Sequence, residues 1–218
     1  AGQLDGSALS DVVDTVFSSQ VRYIGAGVMA VAAIWTLVKI ISPIVKGIRD
    51  AMRSSHTRHD GGEVPQTERD IPITIVALVI VLSMIPVGGL LWLFTNGTEI
   101  AHNTAMLIAV SVIFTLLAGL LVAAVCGYMA GLIGSSNSPV SGVGILVVVL
   151  TALAIVAVHG HGSTAAETTA LIAYTLFTAA IVFCIATISN DNLQDLKTGQ
   201  LVNATPWKQQ VALVIGVV

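Results

Sequence analysis

A chain of 218 residues with only 10% charged side chains and a mean hydropathy of +0.91 cannot clothe a water-facing surface, because a soluble domain carries about 25% charge. Its formal charge of −3 gives no basic footprint for nucleic acid. The composition implies an all-α, polytopic helical bundle embedded in a lipid bilayer.

Residues 1–20, AGQLDGSALSDVVDTVFSSQ, read as an outside loop with a weak amphipathic helix. Asp11 and Asp14 lie too near one end to argue a site. Five apolar runs follow, over residues 22–45, 71–94, 105–133, 143–158 and 168–188. Each is nearly free of charge and is read as long enough to span, which takes roughly 20 residues. A sixth begins at Trp207. The chain opens without a basic n-region, and its last apolar stretch stops about halfway through a span. An internal piece of a longer protein is expected.

Lysine and arginine set the orientation. The connector over residues 46–70 holds Lys46, Arg49, Arg53, Arg58 and Arg69, five of the nine basic residues. It is therefore expected on the cytoplasmic side as a solvated loop. TNGTEIAHNT then falls outside, the serine-rich stretch inside, HGHGSTAAE outside and DNLQDLKTGQLVNATPWK inside. Both outside loops lack Lys and Arg, and the last inside loop has Lys197 and Lys208. Lys39 can snorkel from the inner end of the first run. Cys126 and Cys184 fall within apolar runs and read as small buried hydrophobes.

The third run carries Thr115, Gly119, Ala123, Gly127 and Gly131 at every fourth position. This face without bulk invites close approach of another helix. It leads into GSSNSPVSGVG. Pro139 lacks an amide hydrogen and pushes Ser138 out of helical angles, while Ser135, Ser136 and Asn137 compete for backbone hydrogen bonds. The helix should break near residues 134–142 and restart near Ser141, with Ser138 or Ser141 as cap. Two readings follow: an interfacial turn, or a broken or re-entrant segment whose polar groups line a watery cavity and meet substrate.

After the fifth run come Asn190, Asp191, Asn192, Gln194 and Asp195. Asn190 can cap a short helix, Asp191 suits its first turn and Gly199 its stop. Thr205 and Pro206 read as the start of the next span. Either this is a well-capped inner loop, or its polar groups form the inner mouth of a pathway, where Asp191 and Asp195 meet a cation or substrate amine. His159 and His161 sit two apart. Two ligands make a weak metal site, so no metal site is assigned, and no cofactor motif is visible.

GYMAGLIGSSNSPVSGVGI and ATISNDNLQDLKTGQLVNATPWKQQ resemble the oligopeptide transporter family, in its bacterial and yellow-stripe-like branch, and RYIGAGVMAVAAIWTLVKI resembles another stretch of it. The resemblance implies that residues 1–218 form part of one transmembrane transporter domain, completed by the remainder of the same transporter. It implies secondary active transport of small peptides or peptide-like metal chelates, usually with protons, in a bacterial inner (plasma) membrane. Self-association into a homo-oligomer is left open. No acid lies within a complete run, so Glu167, dipping inward at the start of its helix, is the candidate for proton coupling. A channel would need a filter that is not visible. An enzyme would need a nucleophile and base together, whereas the serines and His159 fall at opposite ends of one span.

Overall fold

The computed structural model describes residues 6–59 and 65–217, and every regular element among them is helical. The order is α1 (Gly6–Val16), α2 (Arg22–His59), α3 (Ile73–Thr95), α4 (Thr104–Ile133), α5 (Val140–His159), α6 (Ala165–Leu201) and α7 (Pro206–Val217). Five helical stretches among these residues are long and apolar enough to cross a bilayer. A helix satisfies its own backbone, which lipid demands.

Three expected boundaries move. Residues 17–21 form a π-helical turn that joins α1 to α2 without a break, so the stretch read as an outside loop is helical from Gly6. α2 passes Val45 and continues to His59. The first part of the expected solvated connector is therefore helix, as IRDAMR, rich in good helix formers, allows. Residues 60–64 lie outside the described residues. α6 runs unbroken past Ile188 to Leu201. Asn190 is thus inside the helix and caps nothing. The stop is not at Gly199 but at Val202 and Asn203, the latter in the left-handed region at φ 59°.

The bundle is organised on α4, α5 and α6. Val122 and Cys126 of α4, Val143 and Val147 of α5, and Ala179, Val182 and Ala186 of α6 form one buried cluster. A second, nearer the other end, joins Leu91, Ile100, Leu107, Ile155, Leu171 and Tyr174. α3 packs on α4, and α2 packs mainly on α5. Cys126 is buried as expected. Cys184 is exposed, because it falls on the face of α6 opposite Val182 and Ala186. Ile85, Val38 and Leu117 are also exposed. An apolar surface this continuous suits lipid or further helices rather than water.

Gly119 and Gly127 of the small-residue row pack closely, as its spacing predicts, whereas Gly131 meets no neighbour. Gly127 lies so close to α6 that a β-carbon there would stand 2.8 Å from Ser189 Oγ and 2.9 Å from Leu193 Cγ. A β-carbon at Gly119 would stand 3.0 Å from Ile185 Cδ1. The close approach lets the Ser189 hydroxyl donate to the Ala123 carbonyl at 2.8 Å. Deeper in the seam the Tyr174 hydroxyl donates to Ser111 Oγ at 3.0 Å. Such bonds replace the water that lipid cannot supply.

Connections between helices meet at each end of the bundle. The Trp207 amide donates to the Arg69 carbonyl at 3.0 Å, the Ile71 amide to Gln210 Oε1 at 3.1 Å, and Gln66 Nε2 to Thr205 Oγ1 at 3.0 Å. Two stretches assigned to the inner side therefore meet. At the other end Asn103 meets His159, both assigned outside.

Candidate functional site

The inner polar turn starts where α4 stops. Gly134 has φ +85° and ψ 159°, a region open essentially to glycine alone. Ser135–Asn137 make one 3₁₀ turn, Ser138 is extended before Pro139, and α5 opens at Val140. No side chain caps α5. Neither Ser138 nor Ser141 does so, because the helix starts between them and Ser141 already lies within its first turn.

Three contacts fix the turn. The Ser135 amide donates to Gln194 Oε1 at 3.1 Å, and Asn190 Nδ2 donates to the Ser135 carbonyl at 3.2 Å. Ser138 Oγ donates to the Cys126 carbonyl at 3.4 Å. Cys126 lies two turns, roughly 10 Å, short of the end of α4. The turn therefore folds back along α4 instead of standing off its end. Counted from Ala165, a bilayer core of about 30 Å is crossed by about residue 185. On that count Asn190 and the turn lie about one bilayer core away from the start of α6, at the end of the bundle that the charge pattern assigns to the inside.

The helical period then divides the remaining polar residues. Asn190 is 6% exposed, and among the described residues nothing donates to its Oδ1. Ser135 and Ser138 are half-buried, whereas Ser136, Asn137 and Asp191 are exposed. Asn192 and Asp195 face α7 and line a groove of about 420 Å³ with Gln209 and Leu213. Ser141 stands apart, in an apolar groove of about 550 Å³ between α5 and α6 with Ile145, Val148 and Phe183. The nine residues singled out in the sequence are thus not one cluster. Ser135–Ser138 with Asn190 form one group, Asn192 and Asp195 a second, and Asp191 an exposed position between them. Gln194 belongs with the first group. Its separation from Asn190 by four residues on a continuous helix is the signal that places it there.

The outer end holds a different assembly. Thr164 caps α6 by accepting from the Glu167 amide at 3.1 Å. The Glu167 carboxylate reaches back to the Ser163 amide at 2.7 Å and to the Ser163 hydroxyl, in the manner of a capping box. Its other oxygen, Oε1, lies 3.1 Å from His159 Nε2, and the two side chains are only 2% (His159) and 13% (Glu167) exposed. Hydrogen bonds to a carboxylate favour its charged form. The His102 ring lies 5.0 Å from that of His159. His161 is exposed and is not in this group. His102 was not singled out in the sequence, since 57 residues separate it from His159.

Nucleophile and base are kept apart. The serines stand at the start of α5 and His159 at its end, 20 residues on, or about 30 Å along the axis.

A helical bundle with five stretches long and apolar enough to cross a bilayer defines the architecture of a polytopic integral membrane protein. The family model described as OPT oligopeptide transporter protein matches residues 4–218. A protein of Haemophilus influenzae named "Putative oligopeptide transporter" is 43% identical over 222 residues, covering 96% of this chain and 34% of that protein. The chain belongs to the oligopeptide transporter family. It spans about a third of the length of this curated relative. The assignment to a family of transporters agrees with the expectation that the chain is not an enzyme. No solved structure matches.

Proposed function

We propose that this chain is part of the transport domain of a secondary transporter that carries small peptides or peptide-like metal chelates across a bacterial plasma membrane. One observation carries this reading. The helix breaks after Ile133 and is clamped there onto Asn190, whose Oδ1 is buried and, among the described residues, accepts no hydrogen bond. A buried carbonyl of this kind is costly unless a partner arrives. A peptide backbone or ammonium group supplies the donor. Nearby, Ser136, Asn137 and Asp191 are exposed, and Asp195 adds a second carboxylate toward α7. Carboxylates attract an ammonium terminus or a chelated cation.

Proton coupling is proposed to pass through Glu167, which three hydrogen bonds hold at the start of α6. The test is uptake by proteoliposomes of the full-length protein, offered a panel of di- to tetrapeptides with and without an inward proton gradient. Accumulation of at least one peptide class above its external level, abolished by a protonophore, is expected. Conductance of inorganic ions without peptide accumulation would identify a channel and overturn the proposal.

A further inference from the structure

We propose that His102, His159 and Glu167 form a binding site for a divalent transition-metal ion, of zinc or cobalt type, at the outer end of the bundle. The inference is independent of what the protein transports. One ligand atom from each of the three side chains lies within 4.8 Å of the other two. Two imidazoles and one carboxylate are a donor set for such ions, with ligand bonds near 2.0–2.1 Å. Two ligands of one tetrahedral zinc stand about 3.3 Å apart. His159 Nε2 and Glu167 Oε1 are already 3.1 Å apart. Only His102 has to close, by about 1.5 Å relative to that spacing, and it is exposed on a short 3₁₀ turn.

The surrounding contacts orient the donors. His102 Nδ1 is 3.1 Å from the Glu99 carbonyl. A carbonyl only accepts, so Nδ1 carries the proton and Nε2 keeps its lone pair for a metal. This is the usual second partner of a metal-bound histidine. Glu167 Oε2 is engaged by Ser163, which leaves Oε1 toward the site. His159 Nδ1 lies 3.4 Å from Asn103 Nδ2. In this arrangement Nε2 of His159 donates to Glu167. Metal binding requires the other tautomer: the proton leaves Nε2, one is taken up at Nδ1, and a rotation of the Asn103 amide presents its oxygen to that new donor. No net proton is released, and a fourth position stays open for water.

The ligands come from three places in the chain, the connection between α3 and α4, the last residue of α5 and the first turn of α6. A bound ion therefore ties them together at the outer mouth. Cys126 plays no part, since it is buried in the other half of the seam.

The experiment uses the purified full-length protein in detergent, stripped with a chelator and titrated with Zn²⁺ by calorimetry. Co²⁺ serves as a visible-absorption probe. One saturable ion per chain is expected, with intense d–d bands for Co²⁺. His102→Ala should weaken Zn²⁺ binding at least tenfold without changing the melting temperature of the metal-free protein, because that side chain is exposed. Glu167→Gln should weaken it comparably, and His161→Ala should bind as the parent does. Undiminished binding in His102→Ala overturns the site. Loss of binding in His161→Ala, which would mean chelation by the HGHG pair, also overturns it, as does the absence of saturable binding. None of these results depends on peptide uptake.

Discussion

Replacing Gly127 by leucine is expected to force α4 and α6 apart and to lower the stability of the folded protein by about 1–3 kcal/mol or more. The added side chain would have to pass between Ser189 and Leu193, whose atoms already stand 2.8 and 2.9 Å from where its first carbon would lie. Neither neighbour is the loose end of a long side chain. The Ser189 bond to the Ala123 carbonyl would break with the same displacement, leaving two polar groups without partners where no water replaces them. Gly131→Ala, one turn on, is the matched control. Nothing lies within 4 Å of a β-carbon there, so a change within about 0.5 kcal/mol is expected. Thermal unfolding of the two variants in detergent, followed by tryptophan fluorescence, separates them. Equal melting temperatures would mean that the seam is not formed as described.

Asn190→Ala is expected to reduce peptide uptake severely and to cost about 1–3 kcal/mol of stability, because the Ser135 carbonyl loses its donor in a half-buried place. The polar turn would then be held only through Gln194 and the Cys126 carbonyl. Asn137→Ala and Asp191→Ala should behave differently. Both residues are exposed, so membrane insertion and melting temperature should stay at parental levels while uptake falls. Uptake assays alongside melting curves distinguish the positioning role from direct contact. Parental uptake in all three variants would reject the inner site.

Much of this architecture is written in local chemistry. The runs over 105–133 and 143–158 become α4 and α5 nearly as bounded, because each ends at a residue that compels a stop. Gly134 and Gly160 both adopt positive φ beyond the last helical residue. The break before Pro139 follows from the same kind of rule. The errors lie where no such residue stands. Past Ile188 the chain turns polar without a proline or a positive-φ glycine, and α6 continues to Leu201. Asn190 fits a cap in isolation, but a polar residue facing a neighbouring turn fits a helix interior equally well. The decisive fact, the position of Ser135, is more than fifty residues away in sequence.

The candidate site was legible as composition and not as geometry. A turn rich in serine and a helix rich in asparagine and aspartate announce polarity. Which of them meet depends on the rotation of α6 against α4, and that is set by Gly119 and Gly127. The outer trio shows the same limit. His159 and Glu167 are close enough in sequence to be paired by a loop, but His102 arrives only through the packing of α3 and α4 beside α5 and α6.

The inner turn is proposed to be a surface that substrate touches. Cysteine placed at Asn137, in full-length protein whose native cysteines have been replaced and whose peptide uptake persists, measures this directly. Its labelling by a membrane-impermeant maleimide applied from the cytoplasmic side should slow several-fold at saturating transported peptide, and should not change with a peptide that is not carried. A labelling rate indifferent to transported peptide, in protein that still accumulates it, would contradict the account.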